Sequence, residues 1–432
     1  MKTLLLLLLT LTLYGEDLRA KIDHIIVIYL ENRSFDTLFR GFEGADTSDH
    51  PFAPYLPQSD TNGTRYNLLP MGDNGITLGL PPMVENHPFA LDAYLTHKQI
   101  IPDLIHQFYE NQLQIHGGLN DRFVLISDQG ALSMGYHDMN KTALWKYAKK
   151  YTLCDHFFMG AFGGSFLNHQ WLIAGKTPYI GEDSNLSRYE LDNEGNVLHN
   201  GILTPDGYAV NTVQPHNPPY KQKYSDPARR LPLLTYDTIG DRLSDANVSW
   251  GWYSGGFTEA LKGGEKKVNY QYHHNPFLYF ARYAPHTQGR NHLKDEKAFF
   301  HAIKKGTLPH VAFFKPSASD NQHPGYGTIH AADRKIDQIV KAVQGNSKLW
   351  KHSVIIITYD ENGGLWDHVA PPQGDRWGPG TRIPAIIVSP FAKKGVVDHT
   401  VYDTTSILRL IEWKYDLAPV GERRSANLIE AF

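Results

Sequence analysis

The sequence predicts an α/β protein: a largely parallel central sheet with helices on both faces and long loop insertions. Three observations carry that reading. Asp23 to Leu30 and Ser353 to Tyr359 are dense in β-branched and other apolar residues, the pattern of strands buried on both faces. Stretches of helical spacing alternate with such strands, as at Ile336, Ile339, Val340 and Val343. Both long runs also stop abruptly at polar groups, Glu31-Asn32 and Asp360-Glu361, and in open α/β sheets ligands bind beyond the carboxyl ends of the strands.

Length and composition set the outer bounds. At 432 residues, 41% apolar and 20% charged, the chain has the make-up of a folded protein with a large core. A formal charge of −3 gives no electrostatic footprint for a nucleic-acid partner. The 22 histidines fit a polar, ligand-rich site. Cys154 is the single cysteine, so no intrachain disulfide forms, and its apolar setting reads as a buried structural thiol.

Lys2 followed by Leu4 to Leu13 is a secretory signal pattern, too short to span a membrane. Residues 1–20 are therefore read as a signal peptide and residues 21–432 as one domain. The expected destination is outside the cytoplasm, periplasmic or extracellular.

The first strand, ending at Leu30, delivers Glu31-Asn32-Arg33-Ser34-Phe35-Asp36. Residues 43–100 are rich in Pro, Gly, Asn and Asp and read as an insertion forming a lid or rim. Helical spacing is expected from Ile101 to Gln114, a stretch that carries His106. Asn140 is the expected cap of a helix whose buried face holds Leu144, Tyr147, Ala148 and Tyr151. Gly163-Gly164-Ser165 then opens a short helix that Gly175 ends, with Pro178 beyond it. Ser165 at that helix start reads either as a plain cap or as a group facing an anion, since free N–H groups and the helix dipole favour negative charge there.

Residues 180–235 form a second irregular insertion, and Asp237 is the expected cap of the next helix. A strand is expected near Val248 to Tyr253. His273-His274-Asn275-Pro276 and His323-Pro324-Gly325 add two histidine loops, the second fed by the strand His310 to Phe314. After Asp360-Glu361-Asn362-Gly363-Gly364 come Asp367-His368, four oxygen or nitrogen donors within nine residues, which suits a divalent cation. The residues alone leave open a polar turn that simply ends a strand. A last strand over Ile383 to Ser389 and a helix capped by Asp403 complete the chain.

Glu31-Asn32-Arg33-Ser34-Phe35-Asp36, Gly163-Gly164-Ser165-Phe166-Leu167-Asn168-His169, His273-His274-Asn275-Pro276-Phe277, His323-Pro324-Gly325 and Tyr359-Asp360-Glu361-Asn362-Gly363-Gly364 together resemble the bacterial phosphoesterase family. That family includes secreted acid phosphatases and phospholipases C and belongs to the alkaline phosphatase superfamily. The serine form of the nucleophile motif resembles the acid phosphatase branch. Phospholipase C members commonly show threonine there, and the longer haemolytic ones carry an extra C-terminal region.

The resemblance implies one divalent metal ion (Zn²⁺, Mg²⁺, Ca²⁺ or Mn²⁺) held by Glu31, Asn32, Asp360 and Glu361 and by the Oγ of Ser165. It implies Ser165 as nucleophile, passing through a phosphoserine. Asn168 is expected to donate to a phosphoryl oxygen. His273, His274 and His323 are expected to bind phosphate or protonate the leaving oxygen, with His106 near the pocket and Asp367-His368 orienting the ligands. The expected substrate is a small phosphomonoester, giving an acid phosphatase. The alternative is a phospholipid headgroup, giving a phospholipase C with transient membrane-surface contact. A third reading, from a different class, is a non-catalytic phosphoester-binding protein.

Overall fold

The computed structural model describes residues 17–49, 56–263 and 269–432. Most of the expected signal peptide therefore lies outside the described residues. Residues 17–21 form a helical turn whose Leu18 is buried, and Arg19 Nε donates to the Lys414 carbonyl at 3.2 Å.

The main sheet has eight strands: β1 (His24–Leu30), β2 (Thr152–Cys154), β3 (Trp250–Ser254), β4 (Leu293–Asp295), β5 (Val311–Lys315), β6 (Ser353–Tyr359), β7 (Ala385–Val388) and β8 (Val396–Asp398). Their order across the sheet is β4-β3-β5-β1-β6-β7-β2-β8. Only β7 runs against its neighbours; every other pairing is parallel. The expected largely parallel sheet is present.

Eight helices matter for the site and the layers: α1 (Phe35–Phe39), α2 (Phe108–Ile115), α3 (Ala143–Lys150), α4 (Ser165–Ala174), α5 (Ile239–Asp245), α6 (Glu296–Lys305), α7 (Ile329–Gly345) and α8 (Thr405–Tyr415). They cover both faces of the sheet. Successive strand residues point to opposite faces, and on β3 the Trp252 ring lies 6.2 Å from His169 of α4 while the Tyr253 ring lies 5.3 Å from Phe299 of α6. Every residue of β1 after His24 and all of β6 is buried, which is why those runs show no polar alternation.

The two longest strands sit side by side. β1 pairs with β6 from His24↔Ser353 to Leu30↔Tyr359, and Asp360 N extends the ladder to Leu30 O at 3.1 Å. That register brings Glu31-Asn32 and Asp360-Glu361 to one crevice.

Residues Leu69, Leu91, Phe123 and Leu132 close a second, smaller apolar cluster onto Leu365 and Trp366. The loop-rich segment after residue 55 thus packs its own core over the carboxyl end of β6.

Four local expectations are corrected. The helix expected from Ile101 begins only at Phe108, because Pro102 lacks an N–H and the neighbouring backbone bonds run sideways. Gly325 N donates to Ile101 O at 2.7 Å and Ile105 N donates to Asp128 Oδ1 at 2.8 Å. Thr142, not Asn140, caps α3, its hydroxyl accepting from Trp145 N. Thr238, not Asp237, caps α5, paired with Asp241 in a reciprocal capping box. Asp403 lies one residue before the α8 cap and accepts from Thr405 N at 2.7 Å.

Candidate active site

Ser165 is the first residue of α4, after Gly164, and every residue of this helix is buried. Gly163 makes the preceding turn possible. Its φ is +86°, and a Cβ there would stand 2.6 Å from the Phe108 backbone. Asn168, one turn into the helix, ties this turn together: its Oδ1 accepts from Ala161 N at 2.9 Å, and its Nδ2 donates to Ala161 O at 3.0 Å and Gly163 O at 3.3 Å. The Asn168 amide thereby holds the loop that presents Ser165.

The Ser165 hydroxyl lies 3.0 Å from Glu31 Oε2, 3.4 Å from Glu361 Oε1 and 3.5 Å from Asn32 Oδ1. Asn32 adopts a left-handed φ of 56°, and Gly363 clears the space beside it, where a Cβ would meet Asn32 Cβ at 2.7 Å. Asp360 Oδ1 accepts from Asn32 N at 3.2 Å and from Glu361 N at 2.8 Å. The five residues expected to hold an ion, Glu31, Asn32, Ser165, Asp360 and Glu361, therefore meet in one buried pocket.

Two further groups belong to the pocket and were missed by the sequence reading. Lys315, the last residue of β5, is buried and its Nζ binds Glu31 Oε1. His169 lies one helical turn after Ser165, bonded through Nδ1 to Ser165 O at 2.7 Å, with Nε2 3.8 Å from Glu31 Oε1. The signals were present: a lysine closing an otherwise apolar strand, and a histidine four residues along the same helix face as Ser165.

The expected histidines divide by position. His274 Nδ1 stands 3.4 Å from Glu31 Oε1 and its ring stacks on His169 at 5.0 Å. His106 Nε2 is 3.3 Å from Asn32 Nδ2 and 3.6 Å from Glu361 Oε1. His323 lies behind it, ring centroids 5.7 Å apart, with Nδ1 bonded to Pro324 O. His273 packs edge-on against His274 at 4.2 Å.

Burial holds His274, His323 and His169 well below the usual imidazole range and His273 down at about 3. Burial disfavours the charged imidazole at His274 and His323, while His273 keeps partial contact with solvent.

Burial, reinforced by Asp360, pushes the Glu31 and Glu361 carboxyls well above the usual range, Lys315 opposing this at Glu31. Burial also raises Asp360, against Lys315. Three buried carboxyl groups thus face one ammonium, an oxygen-rich donor set that suits a divalent ion. Asp360 Oδ2, His169 Nε2 and His274 Nε2 are buried without a hydrogen-bond partner. The residues present fit a divalent metal, with oxygen donors in the majority and imidazole within reach.

Asp367 and His368 do not touch the carboxylates. Asp367 Oδ2 accepts from Asp36 N at 3.0 Å and its Oδ1 from Arg382 Nε at 2.9 Å, while His368 Nδ1 is 2.7 Å from Asp36 Oδ2. They brace the start of α1, the segment that leaves Asn32. A cleft of about 480 Å³ opens beside the pocket, with Gly164 and His106 in its wall and Ile202, Asn211 and Thr212 contributed by the second insertion.

The phosphoesterase family model matches residues 22–418, and the chain belongs to that family. The "Non-hemolytic phospholipase C" of Burkholderia pseudomallei is 27% identical over 91% of this chain and 55% of its own length. The protein of the same name from Pseudomonas aeruginosa is 23% identical over 95% of this chain and 57% of its own. The chain therefore spans little more than half the length of these two relatives. A solved protein of the alkaline phosphatase superfamily from Vibrio parahaemolyticus is 10% identical, covering 74% of this chain and 67% of that one, with a TM-score of 0.37.

Proposed function

We propose that the protein is an exported, metal-dependent phosphoric ester hydrolase whose nucleophile is Ser165. The observation that carries this is the Ser165 hydroxyl at a buried helix start, within 3.5 Å of Glu31, Asn32 and Glu361.

The chemistry follows from the residues. Glu31, Asn32, Asp360 and Glu361, with the Ser165 oxygen, would hold the ion. Bound there, it would lower the pKa of the serine hydroxyl and neutralise phosphoryl oxygens. Glu31, whose Oε2 lies 3.0 Å from the Ser165 hydroxyl, is placed to take its proton. The Oγ–P bond forms as the bond from phosphorus to the leaving oxygen breaks, and the leaving oxygen departs as an alcohol with a proton from solvent. The phosphoryl group stays on Ser165 until water attacks phosphorus and the P–Oγ bond breaks, one water proton passing to Oγ and the proton held by Glu31 returning to solvent. His106, in the cleft wall and bonded to Asn32, stands where the esterified group enters. Lys315 orients Glu31 and opposes the rise that burial imposes on its carboxyl.

Two substrate classes are supported. The serine nucleophile motif favours phosphomonoesters, as in an acid phosphatase. The names of the two curated relatives favour a phospholipid headgroup ester, as in a phospholipase C. Among the described residues no helix is long and apolar enough to cross a membrane, and the apolar run Leu4 to Leu13 supports export.

Initial rates on an aryl phosphate and on phosphatidylcholine vesicles separate the two classes. Failure to release phosphate or phosphocholine with Mg²⁺, Ca²⁺, Mn²⁺ or Zn²⁺, at any pH from acid to alkaline, overturns the hydrolase reading and leaves a non-catalytic binder.

A further inference from the structure

We propose that Asp92, His97 and His137 form a second divalent-metal site, suited to zinc and separate from the Ser165 pocket. The chain brings them together by a short parallel pairing of Phe89–Ala90 with Gly135–Tyr136, in the register Ala90↔Tyr136. Asp92 follows the first segment by two residues and His137 follows the second by one. His97 returns to them after the Leu91–Ala93 turn of 3-10 helix.

The donor atoms of the three residues converge. Asp92 Oδ1 lies 2.9 Å from His97 Nε2, and Asp92 Oδ2 lies 3.7 Å from His137 Nδ1. One ligand atom from each of the three residues falls within 4.8 Å of the others. Metal–ligand bonds of about 2.0–2.1 Å in a tetrahedral zinc site put neighbouring donors about 3.3 Å apart, between those two distances. The two imidazole rings stand 5.4 Å apart at 85°, so they approach from different directions.

The second observation is unmet polarity. His137 is 4% exposed, yet neither of its ring nitrogens has a hydrogen bond, and the buried Nε2 of His97 has none of acceptable geometry despite its nearness to Asp92. A buried polar atom left unpaired is costly, and a cation shared with Asp92 supplies the missing partner. Burial, with the nearby Arg33 guanidinium also contributing, holds His137 down at about 4, so it is the neutral imidazole that binds metals. Asp92 is ionised: despite burial, His137, His97 and the Asp138 N–H hold its carboxyl well below the usual range. The partly exposed Asp92 leaves an entry path and room for a water as fourth ligand.

The site would pin the first insertion to the catalytic frame. His137 N donates to Thr37 O of α1 at 2.9 Å, and His330 N, at the start of α7, donates to His97 O at 2.9 Å. Holding these contacts is a stabilising role.

The test uses the full chain in an Asp360→Asn background, which weakens ion binding at the Ser165 pocket, with zinc kept below the level that refills it. Protein stripped with a chelator and dialysed against Zn²⁺ is assayed for zinc per chain, and Co²⁺ is added in parallel for its tetrahedral visible spectrum. One tightly held zinc, a tetrahedral Co²⁺ band and a zinc-dependent rise in Tm are expected in Asp360→Asn, and all three are lost on adding His97→Ala or Asp92→Asn. Because Asp92→Asn preserves shape, it carries the comparison if His97→Ala does not fold. Equal zinc content with and without the added substitution overturns the site. Hydrolysis by the single variants His97→Ala and Asp92→Asn at saturating metal stays at the wild-type level, and a selective loss of turnover without loss of zinc also overturns it.

Discussion

Replacing Lys315 by Met tests the electrostatics of the pocket through stability. Lys315 is 1% exposed and its ammonium is bonded to Glu31, itself fully buried beside Asp360 and Glu361. Methionine keeps most of the stem packing against the sheet but leaves three buried carboxylates with no ammonium opposite them. Removing one partner of a buried ion pair costs about 3–5 kcal/mol. Part of that cost is relieved as Glu31 takes up a proton, a change that its raised pKa favours. The metal-free variant should therefore unfold at lower denaturant than wild type by about 2–4 kcal/mol, with an unchanged m-value. A divalent ion supplies the missing positive charge, so saturating metal should restore more stability to Lys315→Met than it adds to wild type. Denaturant melts with chelator and with excess metal measure both quantities. Equal metal increments in the two proteins, or no loss of stability in chelator, would refute the charge argument.

Asp360→Asn keeps an oxygen to accept from Asn32 N and Glu361 N but removes the charge, so activity titrated against metal should show at least about a 10²-fold weaker apparent affinity with the fold intact. Asn168→Ala loses the amide that holds the Ala161–Gly164 turn, and should lower stability by about 2–4 kcal/mol as well as kcat; an undiminished Tm with a raised KM would instead mark Asn168 as a substrate contact. The third test concerns pH. Burial lowers the His368 pKa, but Asp36 and Asp46 outweigh it and raise the imidazole from 6.5 to about 10. A raised pKa stabilises fully below the unfolded value of 6.5, and that contribution is lost as pH rises through the folded value. Its ceiling is about 5 kcal/mol. Wild-type stability should fall between pH 6.5 and 10 by a few kcal/mol more than that of His368→Gln, as read from denaturant melts across that range; parallel curves would contradict the assignment.

The sheet was legible because its central strands are buried on both faces, and burial leaves a plain signature in β1 and β6. Their polar ends announced the pocket, and the adjacent parallel register made Glu31, Asn32, Asp360 and Glu361 neighbours. The antiparallel direction of β7 was not legible, since strand direction depends on the path of a long connection rather than on the strand itself. The short helix α2 was overextended because apolar spacing from Ile101 outweighed Pro102, whereas the backbone there bonds to Asp128 and Gly325. Asn168 and the histidines show the harder limit. Residue type names a capacity to donate or titrate, but the partner decides its use. The Asn168 amide faces its own loop, and burial lowers the pKa of His273, His274 and His323. Lys315 and His169 were hidden because single polar residues in apolar runs read as edges of elements until the fold places them against Glu31.

The account rests on Ser165 as the atom that takes the phosphoryl group. Turnover of a radiolabelled aryl phosphate, quenched in acid during the steady state and mapped by peptide mass spectrometry, should place covalent phosphate on Ser165, and Ser165→Ala should lose about 10³-fold or more in kcat while folding normally. Label on a different residue, or near wild-type turnover by Ser165→Ala, would contradict it.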